Sequence, residues 1–242
     1  MPTITYKSHE LQYEVRLTAR RKTIALQVHR NGLVEVRAPR FIKRTELHRF
    51  VGKRAEWILE KQAYFADLAK KFPPREFKNG ESFPLLGRSY RLKVERRPGL
   101  PRPICKLAGR RLKVLVNGQV GDELRQDIRR ALRDWYAKLT QEKTQASVRK
   151  HTQALAVAPK TLKVVEQTRR WASCSRAGDI RFNWRLSMMP NPVLEYVVVH
   201  ELCHLKNHDH SAKFWAMLKS ILPDYEKRQR WLRQYGAALT VF

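Results

Sequence analysis

Apolar and polar residues alternate along the first forty positions of the chain, and this alternation predicts β-strands. The pattern covers residues 11–17, 24–28 and 34–36. Between the second and third of these segments lies Asn31-Gly32, a pair that tolerates the positive φ angles of a tight turn and therefore predicts a hairpin. From Thr45 to about residue 68 the apolar spacing becomes helical, with Thr45 as the expected N-cap.

A second strand-rich stretch follows, and the pattern then becomes helical again. Strands are predicted over residues 90–94 and 112–116, after a turn at Asn79-Gly80. Asp122 begins a long helical pattern that continues through Leu139. We therefore expect an α+β protein with a boundary near residues 118–121. That boundary would separate a strand-rich region of residues 1–120 from a second domain of residues 121–242.

Positive charge is concentrated in the first of these regions. The 242 residues include 50 Lys and Arg and 22 Asp and Glu, and the formal net charge is +28. Residues 1–120 hold 28 of the cations and 10 of the acids, a net charge of +18. Such a surface attracts polyanions because each phosphate contact releases counterions, although a solvated basic surface is the alternative explanation. The N-terminal half is thus expected to bind nucleic acid, through cations that include Arg20, Arg21, Lys22, Arg40, Lys43 and Arg44.

Nothing in the chain resembles a segment that enters or crosses a membrane. No stretch approaches roughly 18 uninterrupted apolar residues, and the N-terminus lacks the apolar core of a signal peptide. Three scattered cysteines, Cys105, Cys174 and Cys203, are too few for a disulfide framework. These features predict a folded cytoplasmic protein without a membrane partner, and they leave the oligomeric state open.

The residues that can carry chemistry are concentrated near the end of the chain. His200, Glu201 and His204 form the pattern H-E-x-x-H, and Pro192 can begin a helix that contains it. On a helix the two histidines lie about 40° apart around the axis and about 6 Å apart along it, so both imidazoles can bind one ion. Imidazole ligands predict Zn²⁺ with an open position for water, and Glu201 is placed to take a proton from a zinc-bound water.

Three residues compete as the third metal ligand. His208 continues the row of histidines but lies about 12 Å from His200 along a straight helix. If Asn207 ends the helix in the left-handed conformation, the chain can turn and bring His210 back to the ion, with the ligand spacing of metzincins. Glu226 on a later helix, as in gluzincins, is the remaining alternative. The helix geometry favours His210.

These segments together resemble the YgjP-like metallopeptidase family, and the resemblance extends over nearly the whole chain. It begins in the N-terminal half and continues through the H-E-x-x-H segment to the tail. The similar segments are residues 20–27, 36–39, 77–81, 170–175, 180–186, 196–205, 209–215, 223–225 and 231–232.

The resemblance implies a zincin-like C-terminal domain related to the SprT-like and WLM zinc peptidases, some of which act on proteins attached to DNA. Carried over by position, it implies that His200, His204 and His210 bind zinc and that Glu201 is the catalytic base. Ala172 is a departure, because the family usually has Gly there and the added methyl group restricts the backbone. Hydrolysis of nucleoside triphosphates has also been attributed to a member of this family.

The segment before the H-E-x-x-H helix has its own interpretation. Strands are predicted over residues 162–165 and 180–186, and an edge strand beside the helix is expected to hold an extended peptide, as in zincins. Cys174 is expected to have a structural or steric role rather than to bind metal, and Cys203 is expected to pack. Trp171 and Trp184 could contact substrate, but we interpret them as core residues, because aromatic side chains at such positions are more often part of the core.

These observations favour a zinc-dependent hydrolase, most simply an intracellular metallopeptidase that acts on a protein or peptide near nucleic acid. A metal-dependent nucleoside triphosphate pyrophosphatase is the first alternative, although the sequence has no glycine-rich phosphate loop and no cluster of carboxylates for magnesium. A nucleic-acid-binding protein with a structural zinc is the second alternative.

Overall fold

The computed structural model describes residues 1–19, 21–29, 31–71, 73, 75–118 and 120–240. Arg20, one of the cations expected to bind nucleic acid, lies outside these residues. The chain forms two compact units, Met1–Pro74 and Arg75–Phe242, and the boundary predicted near residues 118–121 falls within the second. Strands dominate the N-terminal half and helices the C-terminal half, so the mixed α+β class is confirmed.

The first unit is a four-stranded sheet with two helices. Its elements are β1 (Thr3–Tyr6), β2 (His9–Thr18), β3 (Ala25–Val28), β4 (Val34–Pro39), α1 (Arg44–Gly52) and α2 (Ala55–Lys71). The strand order is β1-β2-β4-β3, with β3 antiparallel to β4. The predicted turn at Asn31-Gly32 joins these two strands: Gly32 has a φ of 83°, and the Asn31 side chain accepts a hydrogen bond from the Leu33 amide.

The single helix predicted to begin at Thr45 is divided in two, which corrects the expectation. The chain leaves the helix at Gly52 and begins a second helix three residues later. Glycine has a low helix propensity, so the interruption costs little, and it allows Val51 and Ile58 to be fully buried in one core. The N-cap of α1 is Lys43 rather than Thr45.

The second unit begins with another four-stranded sheet, which packs against the longest helix. These elements are β5 (Ser82–Leu85), β6 (Arg88–Arg96), β7 (Ile104–Ala108), β8 (Arg111–Val116) and α3 (Gly121–Leu155), and the strand order is β5-β6-β8-β7. Ile128 and Leu132 of α3 are buried against the apolar face of the sheet. The helix extends well beyond Leu139, farther than its apolar pattern predicts, because Val148 and Leu155 are buried in the next part of the core.

The C-terminal part of this unit combines a small sheet with helices. Its elements are β9 (Thr161–Val165), β10 (Ala172–Cys174), β11 (Asp179–Asn183), a 3₁₀-helix (Trp184–Met188), α4 (Asn191–Cys203), α5 (Ala212–Ile221) and α6 (Tyr225–Leu239). The strand order is β10-β11-β9, so β10 lies at an edge. The strand predicted over residues 180–186 ends early, because the Asn183 side chain accepts a hydrogen bond from the Arg185 amide and caps the 3₁₀-helix.

The helix α4, which contains the H-E-x-x-H segment, is confirmed and is buried on most sides. Val198, Val199 and Leu202 are fully buried, and the helix packs against α3, α5, α6 and β10. A helix that is apolar around most of its circumference is held by tertiary packing. The few polar side chains of α4 are therefore the ones that require a functional explanation. No helix within the described ranges is both long enough and apolar enough to cross a membrane.

Candidate metal centre

Three histidines converge at the C-terminal end of α4. His200 lies on the last turn of α4, His204 caps the helix, and His210 returns from the loop before α5. One ring nitrogen of each lies within 4.8 Å of the other two, and the Nε2 atoms of His200 and His210 are 3.1 Å apart. The structure therefore brings together the three histidines that the sequence favoured. His208 is exposed, and neither it nor Glu226 joins the group.

The loop that returns His210 differs from the expected one. The helix ends at Cys203, whose carbonyl accepts hydrogen bonds from the amides of Lys206 and Asn207. The prediction of a left-handed Asn207 is wrong, because Asn207 is not among the residues with positive φ. The Asn207 side-chain amide instead donates to the Met217 sulfur at 3.5 Å, so a contact with α5 supports the turn.

The histidine rings are held in the form that binds metal. The Nδ1 atom of His204 lies 3.0 Å from the Asn207 carbonyl oxygen, which only accepts. The ring therefore carries its proton on Nδ1, and Nε2 keeps a lone pair for a cation. Burial and the neighbouring histidines lower the pKa of His200 to about 3, and burial lowers the pKa of His204 as well. Both rings are therefore neutral at physiological pH.

The donor set fits Zn²⁺. Tetrahedral zinc has Zn–N distances of about 2.0–2.1 Å, which separates two ligand nitrogens by roughly 3.3 Å. The 3.1 Å between the Nε2 atoms of His200 and His210 is close to that value. Three imidazoles in this arrangement could hold one zinc ion and leave a fourth position open.

Aromatic side chains of α5 pack against the imidazoles. The fully buried ring of Phe214 lies 4.7–4.9 Å from the ring centroids of all three histidines. Trp215 stacks on His210 at 5.5 Å, and Tyr225 stacks on Trp215 at 5.4 Å. These residues lie in segments that carry the family resemblance, but the sequence assigned them no role at the metal site. The sequence signal for this packing was the Phe-Trp pair that begins four residues after His210. The sequence alone does not show that this pair contacts the histidines, because the contact depends on how the loop folds.

Glu201 is a buried carboxyl beside the histidines. Its side chain is 6% exposed, and it does not belong to the converging group. Burial raises the pKa of Glu201 to about 7, while the positive charge of Arg170 acts in the opposite direction. A carboxyl group with raised proton affinity that is not among the converging donors is suited to accept and release a proton.

The cysteines and tryptophans singled out in the sequence lie near the site or in the core. Burial and the charges of Glu201 and Asp179 raise the pKa of Cys174 to about 11, so this half-buried residue of β10 stays a thiol. Cys203 is fully buried, and burial raises its pKa to about 12. Trp184 is buried against α3, and Trp171 packs partly buried against the C-terminal core.

Comparison with known proteins identifies the family. No curated protein matches the chain. The family model of the YgjP-like metallopeptidase domain matches residues 22–235, a range that includes the three histidines, Glu201 and the edge strand β10. A metallopeptidase domain implies a metal ion and the hydrolysis of peptide bonds. The chain therefore belongs to the YgjP-like metallopeptidase domain family and is, in general terms, a metal-dependent peptidase.

Proposed function

We propose that this protein is a zinc-dependent peptidase with a zincin-like active site, in which Glu201 is the general base. The observation that supports this most strongly is the convergence of three imidazole nitrogens beside a buried carboxyl group. Catalytic zinc sites have three protein ligands and one open position, as this trio provides. When bound, the zinc ion supplies Lewis-acid polarisation of a carbonyl and acidifies water. His200, His204 and His210 would hold it.

Glu201 moves the proton during hydrolysis. Its carboxylate takes a proton from the attacking water as the new C–O bond forms at the scissile carbonyl carbon. It then delivers that proton to the leaving amine as the C–N bond breaks. Burial favours the first transfer because a desolvated carboxylate binds a proton more tightly than one in water. A pKa of about 7 still allows the acid to release the proton to the amine.

The edge strand β10 offers backbone groups to an extended peptide. In the β10–β11 ladder, the Trp171 carbonyl accepts from the Asn183 amide, and the Ser175 amide donates to the Asp179 carbonyl. Hydrogen-bonded pairs alternate in an antiparallel ladder, so the backbone N–H and C=O groups of residues 172 and 174 point away from β11. A substrate strand would pair with those groups, beside the helix that carries Glu201.

Two observations argue against the alternatives. Apart from the histidine trio, no group of three or more convergent His, Cys, Asp or Glu side chains occurs among the residues that the structure describes. A pyrophosphatase that holds magnesium through several carboxylates therefore has no site there. A structural zinc has four protein ligands, whereas three donors converge in this site.

The test uses separate substrates with the same zinc-loaded protein: casein, a protein bound to DNA, and ATP. We expect cleavage of casein that stops with a chelator and returns with Zn²⁺, while ATP remains intact. Hydrolysis of ATP without peptide cleavage would overturn the proposal. An extended peptide substrate also tests β10: N-methylation of the amides that pair with the strand should raise KM, whereas methylation of the alternate amides should not.

A further inference from the structure

The outer face of the second unit's four-stranded sheet carries like charges on neighbouring strands. In the register of β6, β7 and β8, Arg91 lies opposite Arg111, and Lys93 lies opposite Lys113, which in turn lies opposite Lys106. Side chains alternate between the faces of a strand, so these five cations share one face. Together with Arg110 in the turn between β7 and β8, they form what we call the basic face.

The opposite face of this sheet is already used for packing. Leu92 and Leu112, which lie between the cations along β6 and β8, are buried in the core shared with α3. Arg91, Lys93 and Lys106 are exposed on the outer side. The basic face is therefore available to a partner outside the sheet.

The protein itself neutralises little of this charge. Residues 75–120 contain twelve Lys and Arg and three Glu. Of the three, Glu95 lies on the basic face and forms an ion pair with Lys113. The other two glutamates pair with Arg75 and Lys78 outside the basic face. Six cationic side chains thus share a single carboxylate within the described part of this face.

One end of the basic face forms a shallow cavity suited to phosphate. Its volume is about 650 Å³, and its lining includes Arg91, Arg110 and Arg111 together with the hydroxyl side chains of Ser82 and Ser89. Guanidinium groups bind phosphate oxygens through paired N–H donors, and hydroxyl groups add further hydrogen bonds. No carboxylate forms an ion pair with these three arginines among the residues described.

The arrangement has an energetic cost that a polyanion would remove. Neighbouring strands are about 4.8 Å apart, and like charges directly opposite each other destabilise a sheet. In the first unit, by contrast, Arg16 and Arg37 both form ion pairs with the buried Glu35. Rows of cations without such partners are expected where the stabilising anion comes from another molecule.

We propose that the basic face binds the phosphate backbone of duplex nucleic acid without reading its sequence. A duplex presents about one negative charge per 1.7 Å, which suits a broad field of cations. No aromatic side chain among the described residues of this face is placed to stack on bases, which favours phosphate contacts over single-stranded binding. This binding is independent of the zinc centre.

The test is fluorescence anisotropy with a short DNA duplex, measured over a range of salt concentrations with the full chain. The test variant is Arg91→Glu/Lys106→Glu/Arg110→Glu, and the control variant is Lys22→Glu/Arg40→Glu/Lys43→Glu, which has the same net charge. We expect binding by the test variant to weaken at least about tenfold more than binding by the control. We also expect its slope of log affinity against log salt to fall by about three.

Thermal melting provides a second, independent measurement. The test variant places Glu opposite Arg111 and opposite Lys113, so its melting temperature should equal or exceed that of the wild type. Its zinc content and casein cleavage should be unchanged, which separates this proposal from the peptidase. Equal loss of DNA binding in both variants, binding to phosphatidylserine vesicles but not to DNA, or tighter binding to single strands than to the duplex would overturn the proposal.

Discussion

The Nε2 atoms of His200 and His210 lie 3.1 Å apart, although His200 belongs to a helix and His210 to the loop that follows it. Two nitrogen lone pairs at this distance repel unless a proton or a cation lies between them. The same spacing suits two ligands of one tetrahedral ion. The loop between α4 and α5 therefore brings a third nitrogen donor back to the end of the helix.

Removal of any of the three histidines should remove the metal. We expect purified wild-type protein to contain about one zinc ion per chain and His200→Ala, His204→Ala and His210→Ala to contain little. The matched control is His208→Ala, which removes an exposed imidazole from the same loop and should retain zinc. The zinc content per chain of each variant is measured by mass spectrometry. Full occupancy in the three variants, or loss of zinc in the control, would contradict the ligand assignment.

Phe214 should set the affinity for zinc, because its buried ring contacts all three imidazoles. We expect Phe214→Leu to weaken zinc binding about tenfold, the size of effect seen when groups that orient metal ligands are lost. Competition with a chromophoric chelator measures the affinity. Leu218→Val is the control, since Leu218 is also fully buried on α5, one turn after Phe214. An equal loss in both variants would mean that general destabilisation explains the effect.

Gly87 should be sensitive to substitution because it supports the start of α4. Its φ is 79°, and an added Cβ would lie 2.8 Å from the Cγ atom of Pro190, the N-cap of α4. We expect Gly87→Ala to lower the free energy of unfolding by about 3 kcal/mol in urea titrations. Gly109→Ala, which has a φ of 57° and no atom near the added Cβ, should cost about 1 kcal/mol. Similar losses in the two variants would show that the contact with Pro190 is unimportant.

Glu195 should make stability depend on pH. Its carboxylate lies 2.8 Å from Lys150, 2.9 Å from His151 and 2.7 Å from Arg228, so it connects α4 with α3 and α6. Burial alone would raise the pKa of Glu195, but the hydrogen bonds from these three side chains outweigh it and hold the pKa at about 2. A folded pKa below the unfolded value gives stability that is present above about pH 4.5 and lost as pH falls toward 2.

We therefore expect Glu195→Gln to melt several degrees below the wild type at pH 7, because it leaves the largely buried Arg228 and the exposed Lys150 with a weaker partner. The difference should shrink as the pH falls from 4.5 to 2. Glu226→Gln, an exposed change on α6, is the control and should melt like the wild type at every pH. The Glu226→Gln variant should also retain zinc, which tests whether Glu226 is the third metal ligand. A difference between Glu195→Gln and wild type that persists unchanged at pH 2 would refute the role of this carboxylate.

Features that depend on neighbouring residues were predictable from the sequence, and features that depend on distant packing were not. The Asn31-Gly32 turn and the helix begun near Pro192 follow from local backbone preferences, and both are present. The interruption at Gly52 and the length of α3 depend on which core each helix face meets. The role of Phe214 at the metal site was not predicted for the same reason, since its contact with three histidines exists only after the loop has returned His210.

The central claim is that the histidines hold the metal while Glu201 performs the proton transfer. The most direct test measures zinc content and casein hydrolysis on one preparation of Glu201→Gln, beside the wild type. We predict about one zinc ion per chain and a kcat reduced about a thousandfold, because the amide keeps the shape of the side chain but cannot accept the proton. Hydrolysis at the wild-type rate by the zinc-loaded variant would contradict the proposed mechanism.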